Sequence, residues 1–238
     1  MYPDMKRIVL FATAAALLLA VSCGKEDNDP QGQDPGSFKF SAVDLGLSVK
    51  WANANLGANV PEEFGDYFAW GETDGTGKEL YDWTTYKWCN NNGFTFKFTK
   101  YNTDASNGSV DNKMTLDPED DAAHVKLGGN WRMPTTCEVE ELVSTRKNAN
   151  YTWEWKEING IIGWLVTYRV NKNSIFLPAA GGWSGVVHGN VGTNCYYWSS
   201  SLSTEYSEKA CLLYSNSENV EKKEGLRCAA RSIRPVMK

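Results

Sequence analysis

The chain has 238 residues, 42% of them hydrophobic and 22% charged, with a formal net charge of −5. That length can bury one good core and demands no second domain. The acidic balance argues against nucleic acid as a partner, because a phosphate backbone needs a basic stripe to neutralise it. The unusual quantity is the 13% aromatic share, with ten Trp. In a β-rich domain most large rings fill the core, and those left over form stacking surfaces for sugars or peptides.

Residues 1–22 read as a lipoprotein signal peptide. Lys6 and Arg7 form its charged region, and the apolar run from Ile8 to Val21 has the length of a signal core rather than of a membrane span. Met5, directly before Lys6, is an alternative start. Removing residues 1–22 takes away Asp4, Lys6 and Arg7 and changes the formal charge from −5 to −6. The run ends in Leu19-Ala20-Val21-Ser22-Cys23-Gly24, similar to a bacterial lipobox, in which small residues fit the signal peptidase and the Cys23 thiol accepts the lipid. Residues 23–37 are acidic and then rich in Gly, Gln, Asp and Pro. Such a composition buries nothing and reads as a disordered tether. The acidic cluster from Glu26 to Asp29 resembles an export signal of outer-membrane lipoproteins that face outward. The expected address is therefore the outer membrane, surface-exposed, with the membrane as a partner through the lipid anchor.

Residues 38–238 read as one folded domain. Val43, Leu45, Leu47, Val49 and Trp51 alternate with polar residues, the period of a half-buried strand. Tyr67 to Trp70 is a second strand candidate. Residues 71–116 form a long polar stretch interrupted by Phe94, Phe96 and Phe98, and a loop region of this length is either functional or variable. Asp117-Pro118-Glu119-Asp120-Asp121 has the appearance of a cation site. Helix-entry chemistry explains it better, with Asp117 as N-cap, Pro118 at the first position and Gly128-Gly129 as the stop. A second helix starts at Thr135, which with Glu138 makes a capping box, and Val139, Leu142 and Val143 share its buried face. Trp131 and Met133 would pin the loop before it.

Thr152 to Ile158 and Ile161 to Val170 flank Asn159-Gly160 and predict a hairpin. Ser174 to Leu177 and Cys195 to Ser199 are further strands. The segments Ala210–Ser215, Glu221–Gly225 and Leu226–Val236 read as two strands around a charged turn. Taken alone, the pattern predicts an α+β domain with antiparallel sheet.

Catalytic and metal motifs do not emerge. The two His, His124 and His188, lie near no Cys or carboxylate at ligand spacing, so neither zinc nor another cofactor is expected. Gly182-Trp183-Ser184-Gly185-Val186 lacks the second Gly of a nucleophile elbow at the required place. Gly77-Lys78-Glu79 lacks the Ser or Thr of a phosphate loop.

Several motifs, in order, carry a resemblance. They are Val43-Asp44-Leu45-Gly46-Leu47-Ser48-Val49-Lys50-Trp51-Ala52, Gly65-Asp66-Tyr67-Phe68-Ala69-Trp70-Gly71-Glu72, Trp131-Arg132-Met133-Pro134-Thr135, Tyr196-Tyr197-Trp198-Ser199-Ser200-Ser201 and Ile233-Arg234-Pro235-Val236. Over roughly residues 42–238 the chain resembles the Fibrobacter succinogenes major paralogous domain. Its Trp-Arg-Met-Pro-Thr run is also similar to a signature of the C-type-lectin-like and formylglycine-generating-enzyme superfamily. The resemblance implies a C-type-lectin-like fold, with short antiparallel strands, two small helices and long loops. It carries no general activity.

Formylglycine-generating enzymes use a closely spaced reactive Cys pair, whereas Cys211 and Cys228 are far apart in sequence on what read as neighbouring strands. Their expected state is a structural disulfide in an oxidising compartment, with at least one of Cys89, Cys137 and Cys195 left free. The calcium–sugar motifs of C-type lectins are absent. The expected function is a non-catalytic, monomeric surface module that binds glycan or protein through loops and aromatics. An enzyme of the formylglycine-generating type and a fimbria-like structural component are the alternatives. The leading contact candidate is Trp183, in a Gly-rich loop, and Tyr196, Tyr197 and Trp198 are weaker because strand alternation sends some of these rings inward.

Overall fold

A computed structural model describes residues 39–75, 77–91 and 95–238. The expected signal peptide, the lipid-bearing Cys23 and the tether therefore lie outside the described residues, as does Phe94. The described domain is α+β and mostly antiparallel strand. Three three-stranded sheets and two two-stranded ones are joined by long loops, with two short helices.

The alternating run from Val43 does not make one strand. Asp44 accepts a 2.7 Å bond from the amide of Gly46, whose φ of +68° turns the chain there, and a Cβ on Gly46 would strike the Tyr168 ring. The run instead becomes two strands, β1 (Ala42–Val43) and β2 (Lys50–Ala52), paired antiparallel, with β13 (Val236–Met237) on the far side of β2. Leu45 and Val49 are still buried, so the alternation reported burial rather than strand. Tyr67 to Trp70 is likewise no strand. It is a wholly buried segment held by one bridge, Phe68 to Arg231.

The Asn159-Gly160 hairpin forms as expected. It joins β5 (Tyr151–Ile158) to β6 (Ile161–Tyr168), and both turn residues have positive φ. β7 (Ser174–Pro178) completes that sheet. A further sheet is built from β10 (Cys195–Leu202), β11 (Lys209–Ser215) and β12 (Val220–Leu226). The charged residues 221–224, expected as a turn, are the strand β12 itself, and the reversal falls at Asn216–Asn219, where Asn216 Oδ1 accepts from two backbone amides. β3 (Cys89–Asn91) pairs with β4 (Phe96–Phe98), and β8 (Gly182–Ser184) pairs with β9 (Val187–Gly189).

The first helix begins later than expected. Asp117 makes no side-chain cap, and Pro118–Asp120 is a single 3-10 turn. The cap passes to Asp121, whose carboxylate accepts from the His124 amide at 3.0 Å and starts α1 (Ala122–Leu127), stopped by Gly128. α2 (Thr136–Ser144) carries the complete Thr135–Glu138 capping box. Its Glu138 is also held by Arg132 in a bidentate pair of 2.5 and 2.7 Å, a role of the Trp-Arg-Met-Pro-Thr run that sequence reasoning missed.

β10 is buried on both faces. Tyr197 packs with Trp51, Leu142, Trp164 and Leu213 on one side, and Trp198 packs with Phe68, Trp70, Tyr101 and Met133 on the other. A third, smaller cluster gathers Tyr67, Tyr81, Tyr86, Ala180 and Cys228.

Candidate functional site

This packing leaves open an aromatic cleft of about 500 Å³ between β4, the loop that follows it, the Ser203–Glu208 loop and the end of β12. Trp83, Phe96, Phe98 and Tyr206 supply its rings, and Asp104, Glu205 and Glu208 supply its charges. Phe96 is 47% exposed and Tyr206 45%, high values for rings of this size. Trp83 stands edge-on to Phe98 at 5.4 Å and to the buried Tyr86 at 5.7 Å, which ties the cleft wall to the third cluster.

The walls are fixed by polar residues. Asp111 accepts from the amides of Tyr101 (2.9 Å) and Asn102 (3.0 Å), closing the loop at its base, and the buried Asn102 amide donates to Asp104 O and Ser109 O. Gly108 bridges to Phe98 with φ +139°, and any Cβ there would lie 2.2 Å from the Phe98 carbonyl oxygen. Thr103 reaches across to the Ser207 hydroxyl through its amide (3.4 Å) and its own hydroxyl (3.3 Å).

Behind the cleft lies Arg227, wholly buried and making no ion pair among the described residues. Its guanidinium donates to Tyr86 Oη (2.9 Å), Tyr101 O (2.9 Å), Ser207 O (2.8 Å) and Lys100 O (3.0 Å), so one side chain binds both walls. Three rings surround the cation, with Phe98 at 4.7 Å and Trp70 and Tyr86 at 5.2 Å. Sequence reasoning did not single out Arg227. Its neighbours in sequence are unremarkable, and its role exists only once four distant segments meet.

The cleft carboxylates differ in availability. The Ser106 hydroxyl and amide hold the Asp104 carboxyl below its usual range, and that group caps the 3-10 turn Ala105–Asn107. Glu205 and Glu208 have no side-chain hydrogen bond or ion pair among the described residues. Lys97 donates to Ser106 O at one rim, and the Lys209 ammonium stands 3.9 Å over the Tyr206 ring at the other.

The ring candidates from the sequence are placed elsewhere. Trp183 sits on β8, half-buried. Its indole stacks on His188 of β9 at 4.6 Å and 8°, while its buried N–H finds no partner. Backbone bonds in both directions lock it to Ala230. The open platform expected of a Gly-rich loop is not formed, because the glycines shape a hairpin that folds the ring onto its cross-strand neighbour. Tyr197 and Trp198 are core residues, since both faces of β10 are covered. Tyr196 is half-buried, with Arg231 4.6 Å over its ring and its hydroxyl receiving the amides of Asn190 and Asn194.

The expected Cys211–Cys228 disulfide is also corrected, for both are free thiols. In the ladder Cys211 stands opposite Glu224, four positions short of Cys228, and its sulfur approaches Leu202 O at 3.7 Å. Cys228 belongs to the third cluster, where burial pushes its thiol up to about 12. Cys89 and Cys137 are free too, as is the buried Cys195, which burial likewise pushes up to about 12.

Two other clusters invite a chemical reading. Asp117, Glu119 and Asp120 lie close enough together to suggest a cation site. Lysines already fill it: Lys100 reaches both Asp117 and Asp120 at 2.6 Å, Lys87 reaches Asp120 at 3.1 Å and Lys113 reaches Asp117 at 2.6 Å. Burial works against the Asp120 charge, but Lys100, the Tyr101 hydroxyl and Lys87 outweigh it and hold the carboxyl below its usual range. A smaller pocket of about 190 Å³ contains His124, Asp121, Arg132 and Ser200. Those four polar residues are engaged structurally. Asp121 accepts from the His124 and Met133 amides, Arg132 is held by Glu138, Ser200 donates to Pro134 O at 3.3 Å, and His124 Nδ1 meets Trp131 O at 3.3 Å.

Fold and cleft together define an α+β domain with an open aromatic and acidic groove held by a buried arginine. No family model matches the chain, and no curated protein or solved structure matches it either.

Proposed function

We propose that this protein is a non-catalytic surface lipoprotein, anchored through Cys23, whose domain binds a glycan or protein partner in the cleft of Trp83, Phe96 and Tyr206. The observation that carries this reading is the pair of rings, Phe96 and Tyr206, left nearly half exposed in a cleft of about 500 Å³ whose walls are rigidly bonded to each other. Ligand sites of about 300–1,000 Å³ that combine rings with a few fixed polar groups are the usual form of a recognition surface. The ordered series of motifs supports membership of the Fibrobacter succinogenes major paralogous domain and, with it, a C-type-lectin-like fold. The lipobox-like run and the acidic residues after it support an outer-membrane, outward-facing location.

A formylglycine-generating type of chemistry is disfavoured. The two candidate thiols have separate surroundings, and burial raises both, which leaves little thiolate at neutral pH. The test is to probe the full chain, in detergent, against glycan and protein arrays beside its Phe96→Ala/Tyr206→Ala variant. Signals present for the parent and lost in the folded variant are expected. Signals that survive the double substitution would move the binding surface elsewhere.

A further inference from the structure

We infer that the cleft accepts an uncharged, hydroxyl-rich carbohydrate chain, held by the rings of Phe96 and Tyr206 and the carboxylates of Glu205 and Glu208, with no metal ion. This inference rests on the reading of the cleft as the binding surface and narrows it to one ligand class.

A sugar ring presents two kinds of surface, apolar C–H faces and hydroxyl edges. The cleft offers a counterpart to each. Phe96 and Tyr206 expose ring area at its mouth. Glu205 and Glu208 are carboxylates with no side-chain partner among the described residues, and such groups accept the strongest hydrogen bonds a hydroxyl can give.

The charges decide against the other ligand classes. Among the described residues no Lys or Arg lines the cleft, so an anionic chain would find no counter-charge there. Three acids do line it, which at first favours a cation. Asp104 is already committed to capping the adjacent turn, the Lys97 ammonium lies at one rim, and the guanidinium of Arg227 stands directly behind Phe98. One face of Tyr206 is also occupied by the Lys209 ammonium, which takes the place a ligand cation would use. A neutral ligand meets none of these oppositions.

Metal-bridged recognition has no support in the cleft. The one convergent set of potential ligands among the described residues is Asp117, Glu119 and Asp120, outside the cleft lining and neutralised by three lysines.

The test titrates the full chain, in a detergent without a sugar headgroup, by calorimetry at low and high salt. The probes are cellohexaose, mannohexaose and xylohexaose, with oligogalacturonate and hexalysine as charged comparisons. At least one uncharged hexasaccharide should bind with an affinity insensitive to salt and to chelator. Phe96→Ala, Tyr206→Ala and Glu205→Gln/Glu208→Gln should each weaken it by about tenfold, the scale of one lost stacking or charge-assisted contact. All four side chains sit at the cleft surface, and circular dichroism checks that the variants remain folded.

Binding of hexalysine or oligogalacturonate alone, lost in the same variants, would overturn the uncharged-carbohydrate class and leave the cleft as the binding surface. An uncharged sugar that binds the Phe96→Ala and Tyr206→Ala proteins unchanged would overturn both. No binding by any probe would overturn the carbohydrate inference, while the array comparison still judges the cleft.

Discussion

In the cleft, the Arg227 guanidinium makes four bonds of 2.8–3.0 Å and stands 4.7 Å from the Phe98 ring, while Phe96 and Tyr206 farther out stay nearly half exposed. Beside the β8–β9 hairpin, the Arg231 guanidinium makes two bonds among the described residues, both 3.3 Å, and its buried Nε makes none there. There the Trp183 ring lies on His188, and the Tyr196 ring lies against Arg231. Both regions place aromatics next to an arginine. Where the arginine is held by three carbonyls and a hydroxyl, Phe96 and Tyr206 stay nearly half exposed, and where it makes two longer bonds, the Tyr196 ring lies against it.

The sharpest way to break this comparison is to remove the two arginines. Arg227→Met strands four acceptors in a dry site and should lower unfolding stability by about 3–5 kcal/mol, with cleft binding lost as well. Arg231→Met removes a poorly bonded guanidinium that burial already disfavours in its charged form, so it should change stability by less than about 1 kcal/mol. Urea melts of the two variants check this, and equal losses would dissolve the distinction.

Next in size is the acidic cluster behind the cleft loop. Asp120→Asn should cost about 2 kcal/mol at neutral pH, because Lys87, Lys100 and the Tyr101 hydroxyl all point at that carboxylate. The folded carboxyl titrates below its ordinary value, so its contribution is present above about pH 4 and fades as the pH falls through the folded value. Melts of the parent and Asp120→Asn proteins should therefore converge in acid. A constant gap across pH would mean the side chain acts by shape rather than charge.

Much of the scaffold was legible in the sequence because local chemistry sets it. Asn159-Gly160 needs positive φ at both turn positions, and Thr135 with Glu138 satisfies two amides at a helix start. Alternation over Val43–Trp51 correctly reported which side chains go inside but not the backbone, since a turn at Gly46 can bury Leu45 as well as a strand can. Tyr197 and Trp198 were only partly legible. Alternation puts one ring on each face of β10, and nothing local says that both faces are covered. The long stretch 71–116 reads as a functional or variable loop region, and it supplies Trp83, Phe96 and Asp104 to the cleft. Its partners Tyr206, Glu205 and Glu208 lie about a hundred residues further on, joined to it through Ser207 and Arg227, and no local pattern connects them.

Single-ring substitutions separate the two ring sets. Trp183→Ala should lower stability by about 1–3 kcal/mol, since it unpacks the hairpin, and leave cleft binding unchanged. Tyr206→Ala should shift stability by less than about 0.5 kcal/mol, as an exposed substitution does, and weaken binding by about tenfold.

The most direct test of the cleft as the contact surface uses its own tryptophan. Ligand-induced fluorescence change would be recorded for the parent protein, Trp83→Phe and Trp183→Phe, with a ligand found on the arrays or by titration. The cleft account predicts that the change disappears in Trp83→Phe and persists in Trp183→Phe. A change that persists in Trp83→Phe and disappears in Trp183→Phe would contradict it and return the binding surface to the hairpin.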